Sequence, residues 1–502
     1  VSKLYPVLTR ILQGFIFLLA LHWVVIAFIT LGQPWWLTMP AALGLVFWIY
    51  KKPMFWKQLY DFLCQHKLTV IGVLTVFQIL LLLSAQLLIR RDAAVVFLGA
   101  FELSKPLSIA SYLTRNPNNL PLFLYERWFY KIFGMNGLWV LQSINIFATN
   151  SAALILFKGT ESFWGRKRAD LVFLFYTGLL VASPFFMAMY TDMLAIPFIS
   201  LQFFFAMALL KSRDDSKLMI RLAIQLGVLT ALAYLLRPTV LVTIVALFMI
   251  LLVTKEWKKF LLGLSLVSLG FALVAIPIQQ LMERQDEVQL LEGQGLAKSP
   301  LLFIDLGLTY SGTDQDDMKE GLLAYLEPEE REKYNNGMFA EENVKKEIIR
   351  RLQAYTPWTF LQHTAVKQTG TVKNGTLNWI YYEDISREKT PYVSPLYPIL
   401  GSQPFFTWIR RHFISYDRPE FAIYAWMKQI LWLALAWGIF RASRRFAGEQ
   451  ADVQFVMLAV LGGFLFLQVF EGGKTRYLIQ FLPQILVLSS LGWIGDDKHG
   501  KI

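Results

Sequence analysis

The sequence predicts an all-α polytopic membrane protein with about twelve spans, each needing ~20 mostly apolar residues. Three observations lead there. Hydrophobic residues make up 55% and charged residues 17% of the 502 residues, with a mean hydropathy of +0.45, whereas soluble domains carry about 25% charged residues. Apolar runs of spanning length recur along the chain, and lysines and arginines gather in alternate loops between them. This composition excludes a soluble enzyme and a disordered scaffold. A disulfide-stapled module is excluded too, since Cys64 is the one cysteine.

In chain order the spans are 11–31, 36–50, 68–89, 137–157, 171–190, 193–210, 218–236, 239–254, 260–281, 421–440, 453–470 and 477–494. The second and eighth are short for a full crossing and are read as tilted or re-entrant, which leaves the count between about 10 and 14. The first run is too long, and lacks the small-residue cleavage site, to be a cleaved signal peptide.

Orientation follows from the basic residues. One set of alternate loops carries Lys51, Lys52, Lys57 and Lys67, then Lys158, Arg166, Lys167 and Arg168, then Lys211, Arg213, Lys217 and Arg221. Lys255, Lys258 and Lys259 follow, then Arg441, Arg444 and Arg445, with Lys3 and Arg10 before the first span and Lys498 and Lys501 after the last. Positive-inside bias assigns all of these, and both termini, to the cytoplasm. The opposite face collects the loop 90–136, the turn at 190–192, Arg237-Pro238, the polar stretch 283–420 and the segment 471–476. That stretch holds more acid than base, about 21 residues against 16, so the rest of the chain carries a surplus near +17. The surplus sits in short loops between apolar runs, which excludes nucleic-acid binding. The organisation expected is a transmembrane region 1–282 with a functional outer loop at 90–136, an extracellular soluble domain of mixed helices at 283–420, and C-terminal spans at 421–502.

Residues able to do chemistry lie on that outer face. Arg90-Arg91-Asp92 stands at the end of a span, where charge needs partners or a task. Asp92 fits a general base taking a proton from a hydroxyl, with Arg91 holding an anion; the alternative is a pair of snorkelling flanks with their counter-ion. The following apolar stretch, interrupted by Glu102 and Lys105, is expected to be a helix in the interface plane. Asn116-Pro117-Asn118-Asn119 reads equally as a helix cap and as a set of amides for sugar hydroxyls. Asp192, in the turn Tyr190-Thr191-Asp192, either faces the same pocket or caps the next helix. Arg237, with no acid near it in sequence, calls for a negative partner, and a lipid phosphate is the natural one; the alternative is interfacial snorkelling. Lys474 and Arg476, beside Glu471, make an outer loop basic against the trend and point to an anion site or to snorkelling flanks. Asp314-Gln315-Asp316-Asp317 has oxygen ligands for a divalent cation but reads more readily as a solvated loop, so metal is not favoured and no cofactor is implied. His22, His66, His363, His412 and His499 show no ligand spacing. Asn374-Gly375-Thr376 is a glycosylation sequon.

An Asp at the start of the first long outer loop, an Asn-Pro-Asn-Asn run, a Tyr-Thr-Asp turn and a late Arg476-Tyr477 before the final span, in that order and on one face, resemble the glycosyltransferases of the C superfamily (GT-C). They resemble its bacterial, largely Gram-positive, cell-envelope branch in particular. The likeness departs in the first loop, where Ala93 rather than Glu follows Asp92, and in an additional hairpin at 11–50. The resemblance implies an inverting transfer of a monosaccharide from a polyprenyl (undecaprenyl) phosphate carrier to a cell-envelope glycopolymer or glycolipid. It implies a bacterial plasma-membrane protein with its site on the extracellular face. Asp92 would be the base, and Arg237, Lys474, Arg476 and Arg91 would bind the donor phosphate. Asn116, Asn118, Asn119, Tyr190, Asp192 and Glu102 would bind sugar or acceptor. Competing readings are a flippase or transporter, or a polymerase or ligase, of lipid-linked saccharides. No inverted repeat of the kind transporters carry is visible.

Overall fold

The computed structural model describes residues 4–212, 216–388, 390–445 and 450–495. Lys3, Arg213, Lys498, His499 and Lys501 fall outside them. Among the described residues the fold is helical, apart from two short strands, Leu87–Ile89 and Tyr392–Val393, paired antiparallel. Eight helical segments are long and apolar enough to cross a membrane: Pro6–Leu31, Lys67–Ser84, Pro117–Trp164, Thr191–Lys211, Ser216–Leu236, Trp257–Glu283, Phe421–Arg445 and Ala451–Val469. The four other expected spans are shorter or irregular. Trp35–Lys51 is a continuous helix without a buried residue, and Pro238–Val253 is a short apolar helix.

The remaining two are broken, for identifiable reasons. The expected span 171–190 is an α-helix only to Tyr176, then a wide turn at Thr177–Val181 and a tight one at Pro184–Ala188. Pro184 cannot donate to the ladder and disfavours helix before it. The carbonyls so freed are not left bare: the Lys428 ammonium donates to those of Gly178 (2.5 Å), Leu179 (3.2 Å) and Ala182 (2.7 Å), as buried backbone at membrane depth requires. The last span opens with the 3-10 turns of Thr475–Phe481 before Leu482–Trp493.

Close helix crossings rest on small residues, the usual device where lipid offers no hydrophobic drive. Ser216–Leu236 crosses Trp257–Glu283 at Gly227 and Gly270; a methyl on Gly227 would lie 2.2 Å from the Val267 carbonyl oxygen, and one on Gly270 2.3 Å from that of Ile224.

The basic loops meet at one end of the bundle. Lys67 pairs with Asp170 (2.5 Å) and Lys211 with Asp452 (2.7 Å), while Arg168 donates to the Ile494 carbonyl and Arg445 to that of Gly492. At the other end the structure departs from expectation in three ways. The third span stops at Ser84, and its apolar continuation is the strand Leu87–Ile89, an apolar run too short to be told from a helix end by pattern. The expected interfacial helix is two helices, Arg91–Ala100 and Pro106–Arg115, split where Pro106 must begin a new helix and Glu102 takes φ +57°. The stretch 283–420 is not one body apart. Its first half packs Pro300–Gly307, Gln315–Leu323 and Glu341–Ala354 around Leu302, Leu306, Leu322 and Val344. Arg351 lies at 2.9 Å from each of Asp305, Asp317 and Glu347 there. Its second half, from Pro357–Val372 on, returns into the bundle and packs on Leu4–Leu31, Ala451–Val469 and the Thr475–Phe481 turn.

Gly270→Leu is expected to wedge its crossing apart and to destabilise the protein by about 1–3 kcal/mol, as overpacking does. Thermal unfolding in detergent measures this, and an unchanged midpoint would contradict the crossing.

Candidate functional site

The loops opposite the basic end enclose a cavity of about 1330 Å³. Of the residues singled out above, Arg91, Asp92, Asn116, Asn118, Asn119, Tyr190, Asp192, Arg237, Lys474 and Arg476 all line it. Glu102 does not. It points away to the surface, where it pairs with Arg127 (2.6 Å) and accepts from Tyr130 (3.3 Å). Nine positions separate it from Asp92 in sequence, but the kink at Phe101–Lys105 turns it outward.

Asp92 lies in the first turn of Arg91–Ala100, where free backbone N–H groups favour a carboxylate. The turn is held from below. Tyr381 accepts from the amides of Gln86 (2.9 Å) and Leu87 (2.7 Å). Arg90 is ion-paired with Glu388, its guanidinium 5.4 Å from the Tyr381 ring. Arg90 is thereby a strut rather than a ligand. The next residue, Arg91, takes φ +55°, a left-handed conformation that costs about 1–2 kcal/mol outside glycine. The surrounding pairing thus imposes the presentation of Arg91 and Asp92. Both side chains are exposed to the cavity, and among the described residues Asp92 makes no hydrogen bond or ion pair.

Asp192 does the opposite. It accepts from Arg237 at 2.5 Å and lies 3.8 Å from Arg476, so one carboxylate serves two guanidiniums from helices far apart in sequence. The partner that Arg237 demanded is therefore supplied by the protein, and Asp192 is a bridge instead of a helix cap. The Tyr190 ring lies between the same two cations, 5.0 Å from Arg237 and 5.9 Å from Arg476. Its hydroxyl donates to Asn119 (3.1 Å), which donates in turn to the Tyr112 hydroxyl (2.8 Å). The Nε atoms of Arg237 and Arg476 are buried without a hydrogen-bond acceptor. Burial is the strongest single influence on Arg476 and works against its charge, but Asp192, Tyr477, Tyr190 and Glu471 together outweigh it and hold the guanidinium protonated more firmly than usual.

The asparagines divide between structure and site. None caps the helix that follows through its side chain. Asn116 bonds back to the Tyr112 carbonyl (3.0 Å), closing the previous helix, and Asn119 is buried in the tyrosine chain. Asn118 is exposed to the cavity.

Sequence reasoning missed the roof. Lys298, Asn378, Trp379 and Gln480 also line the cavity. Lys298 sits in polar text where no pattern marks it, although an isolated lysine between Gly/Ala and Ser-Pro is its only signal. Burial lowers its pKa, with Arg115 adding to that, while Asp92 and Glu471 oppose. Burial likewise lowers that of Lys474, against Glu471. Setting aside Arg90, which Glu388 balances, the cavity collects Arg91, Arg237, Lys298, Lys474 and Arg476 against Asp92, Asp192 and Glu471. Its polar end is a net cation. The other end is apolar: Val242, Val245 and Met249 from one helix face Leu458, Gly462 and Leu465 from another.

Asp314 caps Gln315–Leu323, accepting from the amides of Asp316 and Asp317, and Asp317 is tied to Arg351. Among the described residues no group of three His, Cys, Asp or Glu side chains is placed to hold a metal. The sequon is packed against Phe421–Arg445, with the Gly375 amide donating to Gln429 (2.7 Å).

A family model described as "Conserved hypothetical integral membrane protein" matches residues 11–495; the chain belongs to that family and is a multi-pass membrane protein. No curated protein matches it. Among solved structures it is similar to ArnT from Cupriavidus metallidurans bound to undecaprenyl phosphate, with 12% identity, 85% of this chain and 77% of that one covered, and a TM-score of 0.34. It is also similar to ArnT of the same organism in the apo state, with 12% identity, 88% and 78% covered, and a TM-score of 0.29.

Asp192→Asn removes the shared carboxylate and leaves two guanidiniums facing each other. It is expected to destabilise by roughly 2–3 kcal/mol, somewhat under the loss for a fully buried pair. Asp92→Asn, which breaks no bond and forfeits only the helix-end attraction, is expected to cost no more than about 1 kcal/mol; equal losses in the two variants would contradict this division of labour.

Proposed function

We propose that this integral membrane protein is a glycosyltransferase of the C superfamily that moves a monosaccharide from a polyprenyl phosphate carrier to a hydroxyl acceptor, a cell-envelope glycopolymer or glycolipid, with inversion. The observation that carries this reading is the union, in one cavity, of a cationic end with an unpaired carboxylate and an apolar end lined by Val242, Val245, Met249, Leu458 and Leu465. A carrier of that kind has both characters: an anionic phosphate diester head and a hydrocarbon tail. The spans before Glu283 and after Glu420 then form the membrane body and the first half of 283–420 its cover, with the cavity opening to the extracellular face of a bacterial plasma membrane and the basic loops in the cytoplasm.

In this reaction Asp92 takes the proton of the acceptor hydroxyl as its oxygen attacks the anomeric carbon. The bond from that carbon to the phosphate oxygen breaks on the opposite side, and its electron pair leaves with the phosphate. The departing dianion needs positive charge more than it needs an acid. Arg237 and Arg476, already aligned by Asp192, meet it together with Lys474 and Arg91. Such preorganised charge is worth most where water is excluded. Asn118 and the roof residues are left for the sugar and acceptor hydroxyls.

Turnover of a polyprenyl-phosphate monosaccharide by purified protein tests this. Asp92→Asn is expected to lower kcat by about 10²–10⁴-fold, the usual share of a general base, with carrier affinity retained. Translocation of the carrier that survives unchanged in that variant, with no transfer by the wild type, would support a flippase instead. Carrier affinity is expected to fall as pH rises through the depressed pKa of Lys474, because only the ammonium form below that pKa attracts phosphate. Lys474→Arg, which stays charged, is expected to flatten this fall; an identical profile would remove Lys474 from the phosphate site.

A further inference from the structure

The helix Pro357–Val372 lies in the middle of the polar stretch, yet its composition is foreign to a helix in water. Its one charged side chain is Lys367, which is fully buried and donates to the carbonyls of Gly307 (2.8 Å), Gln468 (2.9 Å) and Phe470 (2.7 Å). The open face carries Trp358, 65% exposed, and Leu361, 58% exposed, with Phe360 and Val366 beside them. The preceding helix, Glu341–Ala354, instead turns Glu341, Glu342, Lys345 and Lys346 outward as ion pairs.

Its contacts fix its depth. Thr369 meets His22 (3.2 Å), which lies about 16 Å along its helix from Ile11, the cytoplasmic edge of that apolar run, at ~1.5 Å per residue. The Val372 carbonyl accepts from the Trp432 indole (2.7 Å), and Trp432 is about 12 Å in from Phe440 by the same measure. Lys367 is level with Gln468, about 22 Å from Val453. Against a hydrocarbon core of ~30 Å, the C-terminal end of Pro357–Val372 reaches roughly mid-depth, and Trp358 falls near the boundary where indoles collect.

We propose that Pro357–Val372 is a re-entrant membrane helix whose open face, from Trp358 through Leu361 to Val366, is covered by lipid of the leaflet on the cavity side. Two features favour lipid over a protein partner. The face is continuous in depth with the exposed apolar residues of the neighbouring Leu4–Leu31 helix, among them Val25, Phe28 and Ile29. The face also carries no charge of its own, since the one charged side chain of the helix, Lys367, is buried. The helix in turn seats the loop that bears Glu471 and Lys474: the Gly473 amide donates to Thr371 (3.0 Å) and Thr475 to the Gly370 carbonyl (3.2 Å). Lipid contact on one side therefore sets the height of the cationic loop on the other.

The test does not depend on the enzymatic reading. Cys64 is the one cysteine, so Cys64→Ser provides a background for Leu361→Cys, Val366→Cys and, as a water-facing reference, Lys345→Cys. Each is labelled with an environment-sensitive fluorophore in the full-length protein in phosphatidylglycerol–phosphatidylethanolamine vesicles. Labels at 361 and 366 are expected to be quenched several-fold more strongly than the label at 345 by spin-labelled lipid, the one at 366 best by the deeper spin label, and both to be shielded from iodide. Quenching by iodide equal to that at 345 would overturn the proposal in favour of a solvated face. Shielding from both quenchers would overturn it in favour of a protein partner or a second copy. Val366→Cys keeps the test decisive if Leu361→Cys fails to fold.

Discussion

The arrangement of the cavity depends on one carboxylate shared by two arginines. Arg237 and Arg476 leave helices more than two hundred positions apart, and each alone would be an uncompensated charge in a poorly solvated place. Asp192 draws them together, and Tyr190, two positions earlier at the mouth of the same helix, fills the space between the guanidinium planes with its ring. The group remains a net cation, with an Nε atom on each arginine still lacking an acceptor. A protein that needed only neutrality would have stopped at one arginine. The second, together with Lys474, Lys298 and Arg91, leaves the cavity lining with more cations than carboxylates, which suits the anionic head proposed above.

The same principle, charge placed against buried backbone or an opposite charge, organises the rest. Lys428 tethers the carbonyls freed by the broken helix before Pro184, and Lys367 tethers those at the ends of two helices beside the cationic loop. Arg90 and Glu388 lock the strand that precedes Asp92. Lys367 and the Arg90–Glu388 pair make the stretch 283–420 part of the membrane body, and so a segment that is polar by composition comes to shape a site lined by spans.

Most of this architecture is legible along the chain because a membrane imposes a simple rule: loops alternate sides. Asp92, Asp192, Arg237 and Arg476 sit at the ends of apolar runs on the same parity, so their meeting on one cavity follows from counting runs. What pattern does not encode is pairing. Nothing in the text around Arg237 names Asp192, and Asn119 looks as much like a ligand as like the buried link it is. Glu102 shares the loop of Asp92, yet a single left-handed residue and Pro106 turn it away. The strand Leu87–Ile89 is invisible because three apolar residues after a helix extend its hydropathy without a break. Lys298, Asn378 and Trp379 lie in polar text without periodicity, and only the tertiary fold brings them over the site. Pro357–Val372 escaped notice as a membrane element because its threonines and glutamines dilute its hydropathy, while its one charge is spent inside.

Direct binding of the anionic head is the claim on which the functional account turns. Native mass spectrometry of the protein titrated with polyprenyl monophosphate and, separately, with the uncharged polyprenol measures it. The account predicts clear preference for the monophosphate in the wild type and loss of that preference in the double variant Arg237→Ala, Arg476→Ala, with polyprenol retention unaltered. Equal retention of the two lipids by the wild type, or a preference that persists in the double variant, would contradict it.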